Sequence, residues 1–210
     1  MELLDTYDED GNFLGTVDRD IVHRDALWHN TVHCWLYDED GNVYFQIRED
    51  TKTFYTTASG HVQAGESIKE AFGREISEEI GIQVNYESAE FVTINKFVMD
   101  KIKKDGSLFR DRAFANVYVC QFNGDKSEFR FDTNEVLGLS KVNAKDALKL
   151  FRNEIDSIEI STIIKDEDGN VETKSIAARE DFLLNQGETL IEKYGLILEK
   201  VLELTNGSNI

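Results

Sequence analysis

Residues 60–82, GHVQAGESIKEAFGREISEEIGI, hold five glutamates, four of them between Glu70 and Glu79. The same stretch carries Ile68, Phe72, Ile76 and Ile80 at helical spacing. Its punctuation predicts one helix from Ser67 to Ile80. Ser67 with Glu70 three residues on makes a capping box, and Gly81 supplies the residue that ends a helix. Gly73, inside that helix, costs about 1 kcal/mol relative to alanine, which predicts a close backbone approach there.

Projection at about 100° per residue, with Glu75 at zero, puts Ile68 at about 20°, Phe72 at about 60° and Ile76 at about 100°. Glu79 falls at about 40° and Glu78 at about −60°. Glu75 and Glu79 therefore share the apolar face, whereas a solvated charged face would lie around Lys69, Gly73 and Ser77. Two carboxylates one turn apart are mildly destabilising in water and more so when partly buried. A cation between them relieves that cost. Clustered hard oxygens suit Mg2+ or Mn2+, with substrate phosphates completing the octahedron. Arg74 is spaced to reach Glu78.

The stretch resembles the Nudix box, G-x5-E-x7-R-E-U-x-E-E-x-G-U with U apolar. Every defined position matches: Gly60, Glu66, Arg74, Glu75, Ile76, Glu78, Glu79, Gly81 and Ile82. The resemblance implies an α/β (α+β) fold, a Nudix sandwich of helices around a mixed sheet, over residues 1–152. It implies Mg2+-dependent (or Mn2+-dependent) hydrolysis of a nucleoside diphosphate linked to another moiety. By that resemblance Glu75 and Glu79 are the chief metal ligands and Glu78 assists. The backbone carbonyl near Ser59–Gly60 adds a ligand, and Glu66 and Arg74 brace the loop and helix. A further carboxylate base often comes from outside the box; Glu135, in FDTNEVLGLSKV, is the candidate, with Glu128 behind it. Arg48, Arg110 and Arg112 are candidates to meet substrate phosphates. Trp28, Trp35, Phe54 and Tyr55 are candidates to stack on a base, at least two of them expected in the core.

The N-terminal half is similar to the subgroup related to isopentenyl-diphosphate isomerase, in its acidic hairpin, its spaced histidines and the Gln-x-Arg that closes a strand. His23, His29 and His61 thus stand where the isomerase holds a metal through histidines. The isomerase, however, has a catalytic cysteine immediately before the Gly-His pair, and Ser59 occupies that place here. Its second acidic cluster is replaced here by the basic run around Arg110 and Arg112. With the hydrolase box intact, hydrolysis is the reading, isomerisation or a non-catalytic nucleotide-sensing module the alternatives. His33, alternating with Cys34, reads as a packed residue.

At 210 residues the chain suits a domain over 1–152 with an extension over 153–210. A net charge of −18 argues against nucleic-acid or anionic-membrane surfaces. It leaves room for a small diphosphate bridged by divalent cations. No apolar run approaches the ~18 residues of a membrane span, and the acidic start MELLDTYDED is unlike a secretory signal. With Cys34 and Cys120 in strand-like apolar runs, buried reduced thiols and a cytoplasmic location are expected. DEDGN recurs at 8–12, 38–42 and 166–170 and reads as hairpin turns. Calcium loops are excluded because the glycine comes too early.

The periodicities predict strands within Glu2–Val17 and over Thr31–Tyr37, Val43–Arg48, Glu90–Val98, Ala113–Phe122 and, more weakly, Glu128–Phe131. A polar, His-rich segment precedes Thr31, and a short helix covers Ala144–Phe151. The tail carries a hairpin and then a helical stretch with Phe182, Leu183, Leu190, Ile191, Leu196, Ile197, Leu198, Val201 and Leu202, which Gly187 and Gly195 would divide. Such a stripe suits a core or a homodimer face.

Overall fold

The computed structural model describes residues 1–102, 106–182 and 189–207. One sheet of eleven strands runs through it: β1 (Leu3–Tyr7), β2 (Phe13–Asp18), β3 (Trp28–Tyr37), β4 (Asn42–Arg48), β5 (Phe54–Tyr55), β6 (Ala58–His61), β7 (Glu90–Ile102), β8 (Leu108–Gln121), β9 (Val136–Asn143), β10 (Ser157–Asp166) and β11 (Gly169–Ala178). Every pairing is antiparallel except β3 with β8, so the sheet is mixed. The described helices are α1 (Arg19–Asp25), α2 (Ile68–Ile80), α3 (Ala144–Phe151) and α4 (Leu190–Gly207).

β3 organises the sheet. Along one edge it runs beside β8; along the other it meets β1, β6 and β4 in succession. β3 and β4 pair only at Tyr37 and Val43, and the opening between them is filled by the buried Thr57. Its hydroxyl donates to the Tyr44 carbonyl and accepts from the Leu36 N–H. This wedge brings Ser59, Gly60 and His61 beside the middle of β3.

Alternation along β3 divides the core. Val32, Cys34 and Leu36 pack with Phe72, Ile76 and Ile80 of α2 on one face. Trp35 and Tyr37 pack with α3 and α4 on the other. Burying a side chain such as Phe72 contributes about 2–3 kcal/mol. The α/β/α sandwich follows from these two apolar faces.

All three DEDGN segments are turns. Asp8 and Asp38 accept from the backbone N–H groups two and four residues on, and Asp166 accepts from that of Asp168. Both cysteines are free and buried.

Some elements differ from expectation. The His-rich segment contains α1, capped by Asp18, whose side chain accepts from the Asp20 N–H. The strand expected at Glu128–Phe131 is instead a 3-10 turn over Lys126–Glu128, closed by reciprocal bonds of Asp125 and Glu128. The real strand lies further on, at β9. Gly138 interrupts its apolar pattern because a Cβ there would overlap the Ile163 carbonyl of β10. In the tail, β10 and β11 extend the sheet beyond β9. Gly195 lies inside α4 without breaking it, while Leu183 and Gly187 lie outside the described residues. Leu190, Ile197, Leu198 and Val201 are buried in the chain's own core, so most of the stripe is consumed internally. Among the described residues no helix is long and apolar enough to cross a membrane.

Candidate active site

α2 begins with the expected capping box, the Ser67 N–H donating to Glu70 at 2.8 Å. It ends at Gly81 with φ 71°. Glu75 and Glu79 are each only 8% exposed, whereas Glu78 is exposed. Gly73 does not meet a neighbouring backbone: among the described residues a Cβ there would touch nothing within 4 Å, which corrects the expected close approach. The close approach is at Gly60, where a Cβ would overlap both carboxylate oxygens of Glu75.

Arg74 holds the loop to the helix. Its guanidinium donates twice to Glu66, at 2.8 and 2.9 Å, in the bidentate geometry that suits a carboxylate. It also donates to the His61 carbonyl at 2.8 Å, to Glu75 at 2.7 Å and to Glu78 at 3.0 Å. Glu66 accepts as well from the Gln63 N–H at 2.9 Å. Glu79 Oε2 accepts from the Gln46 amide at 2.7 Å and from the Ser59 N–H at 3.4 Å.

Burial pushes the Glu75 carboxyl up to about 7, against the pull of Arg74. Burial and then the charge of Glu75 push Glu79 up to about 8, with Glu135 adding to the rise. Two adjacent carboxyls so reluctant to ionise together are stabilised as anions by a cation. With the Gly60 backbone pressed against Glu75, the donor set fits a hard divalent ion.

Glu135 is exposed on the loop before β9, and its backbone carbonyl accepts from the Glu49 N–H at 2.8 Å. Glu128 is committed to its turn, accepting from the Asp125 N–H at 2.8 Å. Arg48 pairs with Asp50 at 2.9 Å and lies 5.5 Å from the Tyr55 ring centroid. Arg110 donates to the Arg24 carbonyl, and Arg112 pairs with Asp100 at 2.8 Å. Trp28 stacks on Phe114, and Trp35 and Phe54 are core. His33 is half-buried beside Tyr55.

A second group gathers at the end of β3. His23 from α1, His29 from β3 and His61 from β6 bring ligand atoms within 4.8 Å of one another. His23 Nδ1 lies 2.9 Å from the Arg19 carbonyl and His29 Nδ1 3.1 Å from that of Leu27, which leaves each Nε2 to face the cluster. Asp111 Oδ1 is 3.5 Å from His29 Nε2, and among the described residues neither atom has a hydrogen-bond partner. Burial lowers the pKa of His29 and raises that of Asp111. Alternation along β8 sends Asp111 to this face and its arginine neighbours to the other. An acidic side chain thus does reach the histidines, between the two arginines that mark the sequence there. Imidazoles with a carboxylate fit a borderline transition ion.

The fold and this loop–helix define a class. A family model of the NUDIX domain matches residues 27–161, and the chain belongs to the Nudix hydrolases, enzymes acting on phosphoric anhydrides. It is 28% identical over 193 residues to an uncharacterized Nudix hydrolase of Clostridium acetobutylicum, covering 87% of this chain and 90% of that one. It is also 28% identical over 128 residues to an isopentenyl-diphosphate Delta-isomerase of Serratia proteamaculans, covering 59% of this chain and 68% of that one. Among solved structures, DR0079 from Deinococcus radiodurans shares the fold with a TM-score of 0.53 and 22% identity, over 72% of this chain and 89% of that one.

Sequence reasoning did not single out Gln46 or Asp111. Gln46 had appeared only as the first residue of Gln-x-Arg, and strand alternation through Arg110 and Arg112 was the clue to Asp111.

Proposed function

We propose that the protein is a Mg2+-dependent pyrophosphohydrolase that cleaves the diphosphate linkage of a nucleoside diphosphate derivative. The observation that carries this reading is the buried pair Glu75 and Glu79 pressed against the Gly60 backbone. Glu75, Glu79 and the Gly60 carbonyl would hold the metal, with Glu78 assisting from its exposed position. A bound divalent ion neutralises the diphosphate and lowers the pKa of water.

The chain's own groups do the rest. Arg74 balances the charge of Glu75 and fixes the loop against the helix. Gln46 and the Ser59 N–H hold one oxygen of Glu79. Glu135 is the base candidate from outside the box, close enough to raise the Glu79 pKa. Arg48, at the end of β4, is the substrate-phosphate candidate. Arg110 and Arg112, engaged with Arg24 and Asp100, we assign to bracing β8 rather than to substrate. Residues 1–152 form the hydrolase unit in this reading, and 153–210 build onto its sheet.

The test is cleavage of nucleoside di- and triphosphates, sugar nucleotides and dinucleotides with Mg2+, read as the phosphorylated products that hydrolysis of the phosphoric anhydride leaves. Turnover of at least one supports the reading; none by any member contradicts it. The histidine cluster favours a second reading, isomerisation, because such a cluster holds a metal in the isomerase. Ser59 speaks against it, since a hydroxyl is a poor substitute for a thiol proton donor. Proton exchange into isopentenyl diphosphate decides between them, and none is expected.

A further inference from the structure

β7 ends the sheet. It pairs with β8 along one side, and among the described residues no strand pairs with its other side. A free edge 13 residues long offers a row of backbone N–H and C=O groups to another strand. Proteins commonly blunt such edges with proline, a bulge or a short strand. This chain contains no proline, and the bulge of β7 lies at Phe91–Thr93, before most of its length.

Alternation turns Ile94, Lys96, Val98, Asp100 and Ile102 to the sheet face on which Tyr118 packs against Phe72 of α2. The apolar members are uncovered: Ile94, Val98 and Ile102 are 53%, 60% and 73% exposed. Phe91 and Leu108 lengthen the same stripe, and both are exposed. Soluble monomers rarely leave so long an apolar stripe to water.

Residues 94–102, INKFVMDKI, read nearly alike in both directions by chemical type. Val98 is the centre, flanked by Phe97 and Met99. Lys96 and Asp100 come next, then Asn95 and Lys101, with Ile94 and Ile102 at the ends. We propose that β7 is the interface to a second copy of this chain. The two strands pair antiparallel about a two-fold axis at Val98 and join the two sheets into one.

The axis could fall on any residue of the strand, and the charges select Val98. At Phe97 or Met99 it would set Lys96 and Asp100 against apolar side chains. At Lys96 or Asp100 it would set like charges directly opposite each other, which is destabilising. At Val98, Lys96 faces the partner's Asp100, Ile94 faces the partner's Ile102, and the symmetry repeats both pairs. Lys96 already donates to the Glu9 carbonyl at 2.7 Å, and Asp100 pairs with Arg112 at 2.8 Å. The charges therefore choose the register, while backbone hydrogen bonds and apolar pairs supply the attraction. A two-fold contact of this kind closes at two copies. Nine residues a side is below the about 20–30 of a standard interface, so the expected Kd is on the order of micromolar.

The test is sedimentation velocity of the full chain from about 1 to 300 μM. Wild type is expected to pass from monomer to dimer across that range. Val98→Glu places a carboxylate on each side of the axis and is expected to raise Kd at least about a hundredfold. Lys96→Glu alone, and Asp100→Lys alone, each set like charges opposite and are expected to weaken association about tenfold. Mixed in equal amounts, these two variants are expected to recover the dimer, because every facing pair then joins opposite charges. All three positions are exposed, so the variants keep their fold, which circular dichroism checks. A wild type that stays monomeric throughout overturns the proposal. So does a dimer that Val98→Glu leaves intact, which places the interface elsewhere. A mixture that associates no better than its components overturns the two-fold at Val98.

Discussion

The Gln46 amide donates to Glu79 Oε2 across 2.7 Å, tying the strand before the substrate loop to the helix of the box. Both side chains are buried, so Glu79 has few other donors. Gln46→Leu should weaken Mg2+ binding by about 10–100-fold, as loss of a ligand's orienting partner does. If Gln46 acts through Glu79, kcat recovers largely at high Mg2+. A kcat that stays low at saturating Mg2+ would mean that Gln46 acts on something else.

Gly60 and Gly73 make opposite predictions. Gly60→Ala drives a methyl into the Glu75 carboxylate and should abolish high-affinity Mg2+ binding. Gly73→Ala meets open space and should stabilise the protein by about 1 kcal/mol. Chemical denaturation and Mg2+ calorimetry on both variants check this. A destabilised Gly73→Ala protein would show that α2 needs the glycine.

His33 sets a pH dependence of stability. Enclosure of its ring, with Lys193 contributing, pushes its pKa from 6.5 down to about 4. The unfolded chain therefore binds this proton first. The contribution is fully present above about 6.5 and is lost as pH falls from there toward 4. The stability difference between wild type and His33→Asn should be flat above that window and shrink within it. A constant difference throughout would place the His33 pKa at its ordinary value.

The histidine cluster should bind a borderline ion independently of the box. Co2+ absorption is expected in wild type and in Glu79→Gln, and lost in His61→Ala. Asp111→Asn should weaken it, since one of the two unpartnered atoms is then no longer anionic. Equal Co2+ spectra in wild type and His61→Ala would remove the cluster from consideration.

The face of α2 was legible because glutamates and apolar residues share one period, and the box fixes both. Gln46 was not, because its partner lies 33 residues away and nothing local marks the contact. Asp111 was hidden between two arginines, and only the strand's alternation separates them. α1 escaped because seven residues held by the Asp18 cap carry little apolar period. β9 escaped because Gly138 answers to the backbone of β10, a tertiary demand invisible in the local pattern. Most of the tail's stripe turned inward for a related reason: the core that covers it comes from distant strands.

The central claim is that Glu75 and Glu79 hold the catalytic cation. Mg2+ calorimetry paired with turnover of the best diphosphate, in wild type and Glu79→Gln, tests it most directly. The account predicts that the variant keeps its fold and loses both Mg2+ affinity and turnover, the latter by more than about a hundredfold. Equal Mg2+ affinity and equal turnover in the two proteins would contradict it.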